Sequence, residues 1–212
     1  MPVRAVIFDF GGVISTSPFE AFTRYEDDNG LPAGFLRRLN ATNPDSNAWA
    51  RLERREVDLA GFAELFEAEA LAAGHPVDGG AVLALLGGDL RPQVVEAIRR
   101  CHDRLKTALL TNNFAPVDAA GDGRRADGPV GTVLGHFDVI VESSKVGLRK
   151  PDPAIYRLVC DELAVEPAEV AFLDDLGVNL KPARAMGMTT IKVVDPDEAI
   201  AELETVVGFP LR

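Results

Sequence analysis

The feature that most constrains this chain is a set of short, largely apolar runs that each stop at a polar side chain. Val3 to Phe8 ends at Asp9, Thr107 to Leu110 ends at Thr111 and Asn112, and Val170 to Leu173 ends at Asp174 and Asp175. Runs this short, apolar without alternation, suit strands buried on both faces, which is the environment of a parallel sheet. Phe137 to Val141 and Thr190 to Val194 are further candidate strands, and a helix is expected from Pro92 to Arg104. Strand and helix alternating in this way predict an α/β fold with a Rossmann-like parallel sheet, whose ligands bind beyond the carboxyl ends of the strands. The polar tips would then gather along one edge.

One stretch follows a different rule. From Pro18 to about Leu86 the apolar residues, among them Phe62, Leu65, Phe66 and Leu71, recur at three- and four-residue intervals between charged ones. That is the spacing of amphipathic helices. Residues 17–87 are therefore expected to form an inserted helical cap subdomain, with 1–16 and 88–212 forming the α/β core. The 212 residues hold one large domain with such an insertion, but two full domains would be cramped. Pro116 to Gly135, rich in Gly and Asp, is expected to be a mobile surface loop.

Composition narrows the function. A net charge of −11, with basic residues in scattered pairs, argues against nucleic acid and anionic membranes as partners. The apolar runs are too short to span a bilayer and the start lacks a signal-peptide layout, so a cytoplasmic location is expected. Cys101 and Cys160, the two cysteines, sit in no redox or zinc spacing and read as small buried hydrophobes. The acidity also disfavours a phosphorylated substrate at long range, so a phosphate site would need local cations and a metal.

The strand tips carry that chemistry. Asp9, followed by Gly11-Gly12, reads either as a turn residue or as a nucleophile, and a carboxylate can attack phosphorus only if a cation offsets the repulsion between two anions. Asp174-Asp175 supplies hard oxygen ligands of the kind magnesium prefers; the alternative is a charged turn with Asp175 capping the next helix. Thr111-Asn112-Asn113 offers a hydroxyl, an amide and backbone N–H groups suited to phosphate oxygens, or else a turn with an N-cap. Lys150 lies just before a helix expected to start near Pro153, and reads as a solvated or a catalytic lysine. An acid, a hydroxyl with an amide, a lysine and paired acids, in that order, rarely arise together by chance.

The chain resembles the haloacid dehalogenase superfamily, and more closely the N-terminal phosphatase domain of soluble epoxide hydrolases. The resemblance rests on Phe-Asp-Phe-Gly-Gly-Val at 8–13, Leu-Leu-Thr-Asn-Asn at 109–113, His-Phe-Asp-Val-Ile-Val-Glu-Ser at 136–143, Gly-Leu-Arg-Lys-Pro-Asp-Pro-Ala-Ile-Tyr at 147–156 and Phe-Leu-Asp-Asp-Leu-Gly-Val-Asn-Leu-Lys-Pro-Ala-Arg at 172–184. It implies a magnesium-dependent phosphatase acting on a small metabolite or lipid phosphate through an aspartyl-phosphate on Asp9. It implies Asp9, the carbonyl of Gly11 and the carboxylate of Asp175 as metal ligands, with Asp174 in support. Thr111, Asn112 and Lys150 would hold the phosphoryl group, and the bond before Pro151 can be cis in such proteins. Asn179 would orient the acidic pair or cap a helix. An epoxide-opening domain is not expected, as the chain ends soon after its last strand and a short helix near Val207.

There is one departure. Phosphatases of this kind usually carry an Asp two residues after the nucleophile, where it protonates the leaving group, and here that residue is Gly11. Such help is worth about 10²–10⁴-fold, so hydrolysis without it calls for a good leaving group or a substitute acid. Two other readings follow: a catalytically silent phosphoester-binding module, and a 2-haloacid dehalogenase, against which Asp174-Asp175 speaks. Phe19, Phe22, Trp49 and Phe62 either choose the substrate or pack the cap, and the cap's apolar positions could serve a homodimer.

Overall fold

The computed structural model describes residues 2–85, 88–112 and 128–212. The chain falls into two compact units, one made of Met1–Thr16 with Asp89–Arg212 and the other of Ser17–Gly88.

The first unit is built on a five-stranded sheet. Its strands are β1 (Ala5–Phe8), β2 (Lys106–Thr111), β3 (Val139–Glu142), β4 (Val170–Asp174) and β5 (Thr189–Lys192), in the order β3-β2-β1-β4-β5, and every pairing is parallel. Successive side chains point to opposite faces, so β1 sends Val6 and Phe8 into one core and Ala5 and Ile7 into the other. Helices Pro92–His102, Pro129–Leu134 and Pro196–Val207 supply Ile98, Leu134 and Ile200 to the first core. Helices Pro153–Leu163 and Gly177–Ala185 supply Ile155, Tyr156 and Leu180 to the second. All four residues of β1 are buried, the double-sided burial that its unalternating sequence demands.

Register sets the functional edge. Phe8 lies opposite Leu109 on β2 and Leu173 on β4, which brings Asp9 level with Asp174 and one step short of Thr111. Proline at the first helical position and Asp at the N-cap start two of the covering helices: Asp152 accepts from the Ala154 N–H, and Asp195 from Asp197 and Glu198.

Two expectations are corrected here. The segment 116–135 is not loop throughout. Pro129–Leu134 is helical because Val133 and Leu134 anchor in the core; the rest of the expected loop, up to 127, lies outside the described residues. The third strand starts at Val139 instead of Phe137, since the Asp138 carboxylate takes the Thr107 N–H at 2.8 Å where a ladder would begin.

The second unit is helical over Pro18–Asp28, Phe35–Ala41, Ala48–Glu53, Leu59–Ala72 and Gly79–Ala84. Phe22 and Phe62 are buried in its core, with the Trp49 ring edge-on to Phe62 at 4.6 Å, so these aromatics pack the unit itself. Its acidic residues join the helices end to side. Buried Glu26 accepts from the Gly34 and Leu36 N–H groups at 2.6 and 2.8 Å, Glu69 from Ala48 and Glu67 from Gly79. Each carboxylate thus meets the positive N-terminus of a neighbouring helix. Gly79 is required by close approach: a Cβ there would lie 2.6 Å from the Ala63 backbone.

Candidate active site

Five segments of the α/β unit converge at the carboxyl end of the sheet. Asp9 follows β1, Thr111 ends β2 with Asn112 after it, Ser143 follows β3, Asp174 ends β4, and Lys150 precedes the helix Pro153–Leu163. The side chains at the strand ends are held at the edge because the strands behind them are anchored in the cores.

Lys150 is the centre of the cluster. Its ammonium is 2.9 Å from Asp9 Oδ1 and 2.7 Å from Asp174 Oδ2, and its side chain is 1% exposed. An ammonium so buried is stable only when paired. Burial alone would lower its pKa, but the carboxylates of Asp9 and Asp174 outweigh burial and raise it, so Lys150 stays protonated. The Lys150–Pro151 bond is cis.

Asp174 is saturated with donors. Besides Lys150, the Asn179 amide donates to both its oxygens at 3.0 and 3.1 Å, and the Leu176 N–H donates at 2.8 Å. The Asn179 amide is thus engaged by Asp174, and the N-cap position of the helix that contains it is Leu176, with no side-chain cap bond. Behind it, the Tyr156 hydroxyl donates to the Asn179 carbonyl at 2.7 Å.

One oxygen each of Asp9, Asp174 and Asp175 lie within 4.8 Å of one another. Burial, then Asp174, push the Asp175 carboxyl up to about 6; burial also raises Asp9, against the pull of Lys150. Gly12 makes room for this cluster: its φ is +78°, and a Cβ would fall 2.3 Å from Asp175 Oδ2. Gly11, between Asp9 and that turn, pairs with Ser15 in an isolated parallel bridge. The Gly12 carbonyl is held by Arg91 Nη1 at 2.7 Å.

Asn112, expected to hold phosphoryl oxygens, has its side chain engaged within the protein. Its side chain spans the backbone of Lys150, accepting the Lys150 N–H at 2.7 Å and donating to the Lys150 carbonyl at 2.8 Å, while Ser143 Oγ donates to its Oδ1 at 2.7 Å. Ser143, Arg91 and Tyr156 were missed in the sequence. Ser143 carried a usable signal, since Glu142, Ser143 and Ser144 follow an apolar strand as the other polar tips do and all are buried. The neutral thiols of Cys101 and Cys160 are buried elsewhere, with pKa values pushed by burial to about 12 and about 11.

A family model described as haloacid dehalogenase-like hydrolase matches residues 3–187. Acyl-CoA dehydrogenase family member 10 of Mus musculus is 37% identical over 99% of this chain and 20% of its own length. Bifunctional epoxide hydrolase 2 of Sus scrofa is 35% identical over 100% of this chain and 40% of its own length. The chain thus spans between a fifth and two fifths of these two relatives. Phosphatase MT3486 of Mycobacterium tuberculosis is 31% identical over 89% of this chain and 86% of its own length. In fold, the chain is similar to an enzyme of Bacteroides thetaiotaomicron in complex with magnesium and inorganic phosphate, with a TM-score of 0.60 at 17% identity over 90% of this chain and 93% of that one.

Proposed function

The chain belongs to the haloacid dehalogenase-like hydrolases, and we propose that it hydrolyses phosphate monoesters through phosphoryl transfer to Asp9 beside a magnesium ion. The observation that carries this reading is three carboxylates gathered within 4.8 Å while one buried ammonium, Lys150, bridges two of them. The cluster is two charges short of neutral, and a phosphate would add more negative charge, so the donor set fits a hard divalent cation. Asp9, the Gly11 carbonyl and Asp175 would hold that ion. Asp174, whose oxygens already receive Lys150, Asn179 and the Leu176 N–H, supports from outside the ligand set. Bound there, magnesium offsets the repulsion between Asp9 and the phosphoryl oxygens.

The residues then have distinct work. Asp9 Oδ1 is fixed by Lys150 and by the Phe10 N–H at 2.8 Å, which leaves Oδ2 as the attacking atom. Lys150 and the Thr111 hydroxyl stabilise the equatorial oxygens as charge spreads over them. Asn112, tied to the Lys150 backbone, keeps that ammonium in line with the phosphorus and acts on the phosphoryl group through Lys150. The phosphatase name of the Mycobacterium tuberculosis relative supports the same reaction class, and a small phosphorylated molecule would be the substrate.

Phosphate release from a panel of sugar, nucleotide, lipid and aryl phosphates tests this, with magnesium and with EDTA. Turnover should require magnesium and vanish in Asp9→Asn with the fold intact. Undiminished activity in Asp9→Asn would overturn the proposal, and phosphoester binding without turnover would favour a silent binding module.

A further inference from the structure

A phosphate ester of an ordinary alcohol departs as an alkoxide, which needs a proton as its P–O bond breaks. Several proton-bearing groups of the α/β unit at this site are committed elsewhere, and the Thr111 hydroxyl at the end of β2 is given above to the equatorial oxygens. The Lys150 ammonium is pinned between Asp9 and Asp174. The Asn112 amide donates to the Lys150 carbonyl and Ser143 Oγ to Asn112. The Tyr156 hydroxyl donates to the Asn179 carbonyl, and burial raises its pKa further above the ordinary phenol range. On the turn after Asp9, residues 11 and 12 are glycines, and the conformation at Gly12 with Asp175 packed on it admits no side chain there.

We propose, resting on the phosphatase reading above, that the substrates of this site are phosphoryl compounds whose leaving group departs as a stable anion: acyl phosphates and phosphate esters of acidic hydroxyls. In the first step an Asp9 oxygen bonds to phosphorus and the P–O bond to the leaving group breaks. The leaving group takes the electron pair away as a carboxylate, phenolate or enolate, and no proton moves. In the second step water bonds to phosphorus, the aspartyl O–P bond breaks and Asp9 recovers its charge. Both protons of the water stay on the product, which leaves as dihydrogen phosphate. Alkyl monoesters, which leave as alkoxides, are discriminated against.

The test is a series of magnesium-supported kcat/KM values for acetyl phosphate, substituted phenyl phosphates from 4-nitrophenyl to unsubstituted phenyl, and benzyl phosphate as an alkyl ester of similar size. Going from 4-nitrophenyl to benzyl phosphate, kcat/KM should fall by about 10²-fold or more, the range that proton donation would otherwise supply. Acid-quenched intact mass should show phosphorylated protein after acetyl phosphate and not after benzyl phosphate. Gly11→Asp should narrow the spread at least about tenfold; if that variant does not fold by circular dichroism, the wild-type series decides alone. A wild-type spread below about tenfold overturns the inference while leaving the phosphatase reading intact. No phosphate release and no phosphorylated protein with any compound would end both.

Discussion

The Asn112 amide grips the backbone of Lys150 at both its N–H and its carbonyl, at 2.7 and 2.8 Å, across 38 residues of sequence. The two hydrogen bonds hold the peptide groups on both sides of the Lys150 Cα, so the ammonium at the end of that side chain inherits a defined position. Asn112→Ala should therefore lower kcat by about 10²-fold, the cost of a misplaced catalytic group, with little change in KM. Ser143→Ala, which removes one bond to the same amide, should cost about tenfold or less. Steady-state kinetics on a leaving group that needs no proton would check both; a pure KM effect would argue that Asn112 binds substrate directly.

Lys150 also neutralises two buried acids. Lys150→Met removes the partner of Asp9 and Asp174 together, and breaking a buried pair by removing one partner typically costs about 3–5 kcal/mol. Urea unfolding should show that loss together with loss of turnover. Adding Asp174→Asn should recover part of the stability and none of the activity.

The acidic trio makes the metal-free protein sensitive to pH. Burial and Asp174 hold the Asp175 carboxyl near 6, above its unfolded value, and burial raises Asp9 as well. A carboxyl raised in the folded state binds its proton more tightly there, so its stability contribution is present below about pH 4 and lost as pH climbs through the raised value. In EDTA the protein should melt lower at about pH 8 than at about pH 5, with magnesium raising Tm most at the higher pH. In Asp175→Asn the pH difference should shrink. Equal magnesium effects at both pH values would contradict this.

Gly12 gives a separate handle on Asp175. A methyl there meets Asp175 Oδ2 at 2.3 Å and must sit at φ +78°, so Gly12→Ala should displace the carboxylate and cost about 1–2 kcal/mol. Calorimetric titration of magnesium should show weaker binding in this variant. Unchanged affinity would mean that Asp175 is not a ligand.

In the helical unit, Glu26 accepts two backbone N–H groups at the start of the helix Phe35–Ala41, whose N-cap Gly34 has no capping side chain. Glu26→Ala leaves those donors unsatisfied and should destabilise the protein by about 2 kcal/mol, measured by urea unfolding. Glu26→Gln should restore little of this, since its amide supplies one acceptor where two are used.

The sequence by itself determined the layers and which polar residues stand at the strand tips. Apolar runs without alternation can be satisfied only inside a parallel sheet, and a polar residue at the end of such a run has nowhere to go but the edge. That reasoning singled out Asp9, Thr111 and Asp174-Asp175, and Lys150 was singled out by its place before a helix, because residue type and order are local properties of the chain. Tertiary structure decided which polar partner each residue takes. Asn112 has donors and an acceptor that suit many partners, and register and the approach of the Lys150 segment set its side chain against that backbone. Asn179 reads equally as a cap until the fold sets its amide against Asp174. Ser143 stands at a polar strand tip like the others, and only the fold shows that its hydroxyl donates to Asn112. The pairings of Asn112 with Lys150 and of Ser143 with Asn112 join residues 38 and 31 positions apart, and spacing along the chain carries no record of them.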